Sequence, residues 1–104
     1  MKTMFHRLPW KAIRMVADLM TQFEGQKDSK HPAGKWRTES LDYQLDAMMR
    51  HYTDWRSECK DKESGVSHLV HMAFRALAAA EIEAVQRQDD HQDDGYKNRE
   101  RIWL

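Results

Sequence analysis

The stretch that decides the fold is VSHLVHMAFRALAAAEIEAVQRQ, residues 66–88. It is rich in alanine, and its apolar side chains cover most of the circumference when they are placed at 100° per residue. A helix with so little polar surface lies centrally and packs against several neighbours. His68, His71 and Arg75 interrupt this surface as one polar strip. The stretch therefore predicts a central helix whose polar strip contains candidate functional residues.

Two further helices are predicted upstream. Residues 9–23 carry apolar side chains at helical spacing, and Pro9 suits the first turn of a helix. Residues 39–58 carry a second apolar stripe, with Thr38 as the predicted N-cap. Because only a short loop separates the second helix from the third, these two helices should run antiparallel. We therefore predict an all-α fold, a compact bundle of about three core helices.

The length of 104 residues allows one domain. We assign residues 1–88 to this domain and residues 89–104 to an acidic, flexible C-terminal tail. Because two other helices of one chain offer too little cover for the central helix, we predict a homo-oligomer, most simply a dimer. The apolar end of the tail, residues 102–104, is either a docking segment for a second subunit or only a sticky terminus.

The composition argues against several classes of function. Seventeen basic and seventeen acidic residues cancel, so no overall field draws the chain to nucleic-acid polymers or anionic lipid. A single cysteine, Cys59, excludes an internal disulfide and fits a reducing compartment. No apolar run approaches the roughly 20 residues that span a bilayer, and no secretory signal is visible. We predict a cytoplasmic protein that binds neither membranes nor nucleic-acid polymers.

The segment between the first two helices is basic. Four bases against one acid give it a net charge of +3, from Lys27, Lys30, Lys35, Arg37 and Asp28. One interpretation is a solvated connection. The other is a phosphate-binding loop in which Trp36 supplies a ring for a base to stack on.

The antiparallel pairing brings polar residues of the second and third helices to similar heights. Counting outward from the loop puts His51 level with His71, and Asp46 near the level of Arg75. The resulting cluster contains Asp46, Arg50, His51, His68, His71 and Arg75. His-x-x-His on a helix can direct two imidazoles at one metal ion, although two histidines in a polar network explain the pattern equally well.

Two acidic motifs are rejected as a single metal centre. Glu39-x-x-Asp42 and Glu58-x-x-Asp61 bracket one predicted helix, whose ends lie about 28 Å apart at 1.5 Å per residue. Solvated charges at helix ends explain them better. Magnesium prefers oxygen ligands. The acids that would matter for phosphate chemistry are therefore Asp46, Glu63 and Glu24.

The run ESGVSHLVH, residues 63–71, followed by MAFRAL, resembles a family of phage proteins, the dATP/dGTP diphosphohydrolases, which are MazG-like all-α nucleotide pyrophosphatases. The resemblance extends back through DAMMRH, residues 46–51, and Trp55 to KWR, residues 35–37, and covers about residues 8–83. It implies a helical oligomer that cleaves a deoxynucleoside triphosphate to monophosphate and pyrophosphate with a divalent metal, Mg²⁺ or Mn²⁺. The positions that carry over are Asp46, Arg50, His51, Glu63, Ser67, His68 and His71.

The chain also departs from the wider group. MazG proteins use Glu-x-x-Glu and Glu-x-x-Asp motifs on separate helices, and this chain has no equivalent pair. The loop at residues 28–33 lacks the tyrosine that the family pattern places near Lys27.

Three functions compete at this point. The leading hypothesis is a metal-dependent diphosphohydrolase of a purine (deoxy)nucleoside triphosphate. It assigns catalysis to Asp46, Arg50, His51, His68 and His71, metal binding to Asp46, Glu63, His68 and His71, and substrate binding to Lys27, Lys35, Trp36, Arg37, Ser67 and Arg75. The alternative is a non-catalytic phage protein that sequesters a nucleotide or a cyclic-nucleotide defence signal. The third is a helical interaction protein without a ligand, whose hallmark would be an exposed apolar helix face.

Overall fold

A computed structural model describes residues 1–25 and 32–90 of the chain. Three α-helices form the fold: α1 (Trp10–Phe23), α2 (Leu41–Ser57) and α3 (His68–Asp90). Two short 3-10 helices, Phe5–Arg7 and Lys35–Thr38, precede α1 and α2. The described residues include no β-strand, and isolated bridge positions occur at Glu24 and between Lys60 and Ser67. The predicted all-α bundle of three core helices is confirmed.

Helix α3 lies at the centre of the fold. Its Val70 packs against Val16 and Leu19 of α1 in one core cluster. In a second cluster, Ala78 and Ile82 pack against Trp36. The small alanine side chains of α3 allow neighbouring elements to pack closely against it. Because α3 also has few polar residues, it can be covered on several sides and lies in the middle of the fold.

Helices α2 and α3 run antiparallel, as the short connection predicts. Gln44 near the start of α2 contacts Arg75, whereas His51, two turns later, contacts His68 at the start of α3. The residue number rises along one helix as it falls along the other. This pairing places the polar residues of α3 against the polar residues of α2.

The first turn of α2 differs from the sequence prediction. Ser40, not Thr38, is the N-cap, and its Oγ accepts a hydrogen bond of 3.0 Å from the backbone N–H of Tyr43. The Thr38 hydroxyl instead donates to the carbonyl of Lys35 at 2.7 Å, inside the second 3-10 helix. The prediction missed this 3-10 turn, after which Glu39 and Ser40 are extended before α2 begins.

Helix α3 extends to Asp90, two residues past its predicted end, and residues 91–104 lie outside the described part of the chain. The proposed docking of the terminal residues 102–104 therefore stays a prediction. Within residues 1–25 and 32–90, no helix combines the length and the apolar character needed to cross a membrane.

Candidate functional site

Three histidines meet where α2 faces the start of α3. The Nδ1 atoms of His51 and His68 lie 2.9 Å apart, so the N–H of one ring donates a hydrogen bond to the nitrogen of the other. The ring of His51 also stacks on His71, with centroids 4.4 Å apart and an interplanar angle of 9°. His68 is buried, and the other two rings are partly buried. The sequence-based cluster of His51, His68 and His71 is therefore present as one network.

The loop between α2 and α3 folds back onto this network. Gly65 has a φ of +74°, a left-handed conformation that favours glycine, and its N–H donates to the carbonyl of Asp61 at 2.7 Å. The backbone N–H of Ser64 donates to Asp61 Oδ2 at 2.9 Å. This turn places Ser64 Oγ 2.8 Å from His71 Nε2 and Asp61 Oδ2 3.8 Å from the same nitrogen.

The arrangement of Asp61, Ser64 and His71 is not a nucleophile triad. In a serine hydrolase the carboxylate orients the histidine through one ring nitrogen while the serine uses the other. Here both Ser64 Oγ and Asp61 Oδ2 approach the same atom, His71 Nε2. Ser64 Oγ also accepts a hydrogen bond of 3.2 Å from the N–H of Val66. The hydroxyl therefore helps to hold the turn, and the geometry does not favour covalent catalysis by serine.

One set of side chains has metal-binding geometry. His51, Asp61 and His68 each offer one ligand atom, and these three atoms lie within 4.8 Å of one another. Two imidazole nitrogens bound to one tetrahedral ion at 2.0–2.1 Å lie roughly 3.3 Å apart, close to the 2.9 Å between the two Nδ1 atoms. Imidazole ligands suit transition ions such as Zn²⁺, whereas Mg²⁺ prefers oxygen ligands. The donors therefore fit a transition ion better than Mg²⁺.

The surroundings of this site give its side chains protonation states that favour cation binding near neutral pH. Burial, with the neighbouring charges of His71 and His68, lowers the pKa of His51 to about 4. Burial likewise lowers the pKa of His71, although Asp61 opposes the effect. For Asp61, burial alone would raise the pKa, but the hydrogen bonds from Ser64 together with the charges of His71 and His51 outweigh it, and the pKa is lowered. His51 and His71 are therefore neutral and Asp61 is ionised at pH 7.

A second polar network lies further along α3. The side chain of Gln44 is fully buried, donates to the carbonyl of Trp36 at 3.0 Å, and accepts from Arg75 Nη1 at 2.8 Å. The same guanidinium nitrogen lies 3.6 Å from Glu39 Oε1. The guanidinium also sits over the ring of Tyr43, 5.4 Å from its centroid. Arg75 is thus held in one orientation by contacts from three sides.

Both networks border one cavity of about 170 Å³. Its polar walls come from the loop after α2 and from α2 and α3, and its apolar wall comes from α1 and Phe74. The lining residues are Leu19, Met20, Phe23, Glu24, Lys35, Trp36, Glu39, Tyr43, Asp61, Glu63, Ser64, His71, Phe74 and Arg75. His51 and His68 are not lining residues, so the histidine network borders the cavity through His71.

The structure brings some of the residues assigned from the sequence to this cavity. Those that line it are Lys35, Trp36, Glu63, His71 and Arg75. Trp36 contributes little ring surface there, because it is only 9% exposed and packs in the core. Glu63 lines the cavity without belonging to the group of three metal donors. The catalytic and binding roles of all these residues remain predictions.

Other assigned residues lie elsewhere. Asp46 and Arg50 are exposed on α2, outside the cavity lining and the group of metal donors. Arg37 stacks on Trp36 and pairs with Glu81 at 3.9 Å, away from the histidines. Ser67 Oγ accepts from the N–H of Leu69 at 3.2 Å, in the first turn of α3. Lys27 lies outside the described residues.

Sequence reasoning missed several residues that the structure brings to the site. They are Glu39, Tyr43, Gln44, Asp61 and Ser64. A signal for two of them existed, because Asp-x-x-Ser-Gly is a turn sequence and a turn there would return Asp61 and Ser64 towards the histidines. The candidate donor group contains Asp61 but neither Glu39 nor Glu58. The interpretation of these acids as solvated helix-end charges is wrong for Glu39 and Asp61, whose side chains are only 18% and 23% exposed and pair with Arg75 and His71. Glu39 and Asp61 nevertheless line the same cavity.

Comparison with known proteins gives one family. The family model described as "dATP/dGTP diphosphohydrolase, N-terminal" matches residues 1–93 of the chain. Neither the curated proteins nor the solved structures provide a significant match. The matched range contains every residue of the cavity and of the histidine network. The chain belongs to the dATP/dGTP diphosphohydrolase N-terminal family, a family of nucleotide hydrolases.

Proposed function

We propose that this protein is a metal-dependent diphosphohydrolase that cleaves a purine deoxynucleoside triphosphate to the monophosphate and pyrophosphate. One observation carries the proposal. The metal donors His51, Asp61 and His68 lie within 4.8 Å of one another, beside a cavity that also receives the cations Lys35 and Arg75. Nucleotide hydrolysis needs this combination, because phosphate charge must be neutralised while water is brought to phosphorus.

The donor set determines what the metal would do. His51, Asp61 and His68 would hold a divalent transition ion, such as Mn²⁺ or Zn²⁺. When bound, such an ion supplies Lewis-acid stabilisation of phosphoryl oxygens and lowers the pKa of a coordinated water. Mg²⁺ would depend more on the carboxylates that line the cavity, from Glu24, Glu39, Asp61 and Glu63.

The chain's own residues supply the proton transfer. In the proposed reaction, water oxygen forms a bond to the α-phosphorus and the bond to the β-phosphate oxygen breaks, releasing pyrophosphate. In this step the Ser64 hydroxyl donates to His71 Nε2 across 2.8 Å, so the water proton passes to Ser64 Oγ while the hydroxyl proton passes to Nε2. His71 is neutral at pH 7, and able to take this proton, because burial lowers its pKa.

The cations of the cavity position the phosphates. Lys35 lines the cavity and contributes an exposed ammonium. Arg75 lines the cavity and is held rigidly by Gln44 at 2.8 Å. A fixed guanidinium loses little entropy when it binds an anion, so Arg75 should contribute more to orientation than Lys35 does.

The test is a nucleotide panel. The full chain is incubated with the four deoxynucleoside triphosphates and GTP, in Mn²⁺, Mg²⁺, Zn²⁺ or EDTA. Anion-exchange chromatography then separates monophosphate, pyrophosphate and unreacted nucleotide. We expect purine monophosphate and pyrophosphate in equal amounts with Mn²⁺, and no product in EDTA. Orthophosphate as the first product, or equal rates in EDTA, would contradict the proposed reaction.

A second candidate is a nucleotide-binding protein without turnover. Every buried side-chain nitrogen and oxygen of the described residues already has a hydrogen-bond partner. The histidine network therefore also makes sense as a structural unit beneath a binding cavity. Intact nucleotide recovered from denatured protein, with no product under any metal condition, would favour this candidate.

A further inference from the structure

The segment that leads into α1 exposes large apolar side chains that neither the cavity nor the histidine network uses. Met4, Phe5, Leu8 and Trp10 are 44–64% exposed. The backbone that carries them is folded, because the first 3-10 helix includes a bond of 3.1 Å from the N–H of Leu8 to the carbonyl of Phe5. These apolar side chains therefore face solvent from a short helical turn and from the start of α1.

The same segment carries charge of one sign. Lys2, Arg7, Lys11 and Arg14 are all exposed, and the first acidic residue of the chain is Asp18. Asp18 Oδ2 lies 3.9 Å from Arg14 Nε, so it compensates part of one cation. Four bases against one acid give this end of the chain a net charge of +3. The neutral charge of the whole chain, which predicts no membrane binding, does not describe this end.

The packing of α1 keeps these groups away from the bundle. Val16 and Leu19 of α1 pack in the core with α3. Trp10, Lys11 and Arg14 lie about 120–160° around the helix from Val16, at 100° per residue, and so point away from the core. The exposed basic and apolar side chains together form the N-terminal patch, which comprises Lys2, Met4, Phe5, Arg7, Leu8, Trp10, Lys11 and Arg14.

The charge of the N-terminal patch argues against a second copy of the chain as its partner. Helix α2 also exposes an apolar side chain at Met49, but Asp42 and Arg56, which have opposite charges, lie seven residues on either side of it. That arrangement suits an antiparallel contact between two copies. Two N-terminal patches would instead bring cations against cations, which is unfavourable.

The apolar side chains argue against a nucleic-acid strand. Such a strand offers phosphates to cations and base faces to the rings of Phe5 and Trp10. It offers no apolar medium to Met4 and Leu8, which are 50% and 44% exposed. A partner that suits both properties of the patch combines a negative surface with an apolar interior.

We propose that the N-terminal patch binds the surface of an anionic phospholipid membrane, which the chain contacts without spanning it. The lysines and arginines are attracted to the lipid phosphates, and Phe5 and Trp10 lie among the headgroups, where amphipathic rings are stable. Met4 and Leu8 reach the boundary of the acyl chains. A lipid surface needs no matching groove, so protruding side chains suit it. The inference is independent of the proposed hydrolysis, because it uses no residue of the cavity or of the histidine network.

The test is flotation of the full chain with lipid vesicles. One preparation contains phosphatidylcholine alone, and the other is an equimolar mixture of phosphatidylcholine and phosphatidylglycerol. We expect the chain to float with the mixed vesicles at low salt and to stay unbound with phosphatidylcholine alone. The bound fraction should fall as salt is added, because the attraction between the lysines and the headgroups is screened.

A double substitution tests the charge of the patch. Lys2→Gln with Lys11→Gln should weaken binding to the mixed vesicles by roughly 20–30-fold, at about fivefold for each cation near the surface. The matched control is Lys60→Gln with Lys62→Gln, which removes the same charge from the exposed loop after α2 and should keep the parent affinity.

A single substitution tests the apolar part. Phe5→Ser should weaken binding to the mixed vesicles at least about 10-fold, because the ring no longer leaves water on binding. The matched control is Leu77→Ser on α3, where the side chain is 49% exposed, and it should bind like the parent. Circular dichroism melts check that each variant is folded. If Phe5→Ser melts at a lower temperature, the lysine pair and its control decide the outcome.

Three results would overturn the proposal. The first is equal binding to both kinds of vesicle, or no binding to either at low salt. The second is an equal loss in the Lys2 and Lys11 variant and in its control, because that reflects total charge and not the patch. The third is a single-stranded oligonucleotide that competes fully with the vesicles and binds Phe5→Ser as tightly as the parent, which would assign the patch to nucleic acid.

Discussion

The two flanks of the α2–α3 pair differ sharply. The cavity flank, towards α1, carries Tyr43, His71 and Arg75. The open flank, on the other side, carries Leu45, Met49 and Tyr52 of α2 with Leu69 of α3, which are 38–50% exposed. Residues of one helix lie 100° apart per position, and both antiparallel helices are right-handed, so these apolar side chains come to the same side.

The two flanks differ in how far a single chain satisfies their side chains. On the cavity flank the histidines, Gln44 and Arg75 have partners within the chain, and no buried side-chain polar atom of the described residues lacks one. On the open flank, exposed Ala76 and Ala80 continue the apolar surface of Leu69 along α3. The buried polar groups of the cavity flank thus find all their partners within one chain, whereas the apolar side chains of the open flank stay exposed in one chain. We therefore propose that the chemistry takes place on the cavity flank and that a second subunit covers the open flank.

The largest effect is expected from Asp61→Asn on the cavity flank. Its carboxylate accepts from Ser64 and belongs to the metal-donor group. With the carboxylate lost, turnover should fall at least about 100-fold, as happens when a main catalytic interaction is removed. The matched control is Asp18→Asn, which removes an exposed carboxylate paired with Arg14 on α1 and should retain activity. Similar rates for both variants would show that the cavity flank does not carry the reaction.

The next effect concerns the open flank and the predicted oligomer. Asp42 and Arg56 lie seven residues on either side of Met49, so an antiparallel contact between two copies of α2 centred on Met49 would pair opposite charges. Light scattering of the parent should then give twice the 12.4 kDa of one chain. Met49→Lys should weaken association at least 10-fold, whereas Met15→Lys, at a similarly exposed methionine of α1, should not. A parent mass of one chain at micromolar concentrations would contradict this prediction.

A third prediction is that stability falls on acidification. The pKa of His51 is about 4 in the folded chain and about 6.5 in the unfolded chain, so the unfolded state takes up a proton first as pH falls through this window. The lowered pKa of His71 acts in the same direction. After a discount for partial exposure, the titration of His51 should lower the free energy of unfolding by roughly 1 kcal/mol between pH 7 and pH 5. This corresponds to a fall in Tm of about 4–8 °C.

Calorimetric melts at several pH values check this prediction. His51→Asn should flatten the change in Tm between pH 7 and pH 5. The control His6→Asn, at an exposed histidine in the first 3-10 helix, should keep the parent slope. Identical slopes for the parent and His51→Asn would contradict the assignment.

A smaller effect is expected from Lys35→Ala. Its exposed ammonium attracts phosphate to the cavity without fixed contacts, so its loss should raise KM by roughly fivefold and leave kcat nearly unchanged. The difference should shrink as salt is added, because an exposed charge is screened. Lys11→Ala, which removes an exposed lysine of α1, controls for overall charge. An effect on kcat that is independent of salt would instead assign Lys35 to the transition state.

The smallest effect is expected from Asp46→Ala, which tests an assignment made from the sequence. Asp46 is exposed on α2 and lies outside the cavity lining. Its removal should change stability by about 0.5 kcal/mol or less and leave turnover close to that of the parent. Normal melting with a collapse of turnover would support the sequence-based catalytic role and weaken the cavity-based site.

The sequence by itself determined the three helices, the antiparallel pairing of α2 and α3, and the meeting of His51 with His68 and His71. These features depend on local periodicity and on the length of one short loop. Side chains three or four residues apart share a helix face, whatever the rest of the chain does. The 3-10 helix at Lys35–Thr38 escaped prediction, because so short a turn leaves no comparable periodic signal.

Only the tertiary structure decided which polar residues share the cavity. The rise per residue predicts which residues of two paired helices lie at the same height. The angular position of each residue around its own helix axis decides which side chains face each other. Asp46 is five residues from His51, or about 140° around α2, so it points elsewhere despite its height. Asp61 reaches the histidines because the turn at Gly65 reverses the chain. Glu39 reaches Arg75 because the second 3-10 helix and α2, on either side of Glu39, both pack against α3. Contacts between distant segments depend on packing, which no local pattern in the sequence encodes.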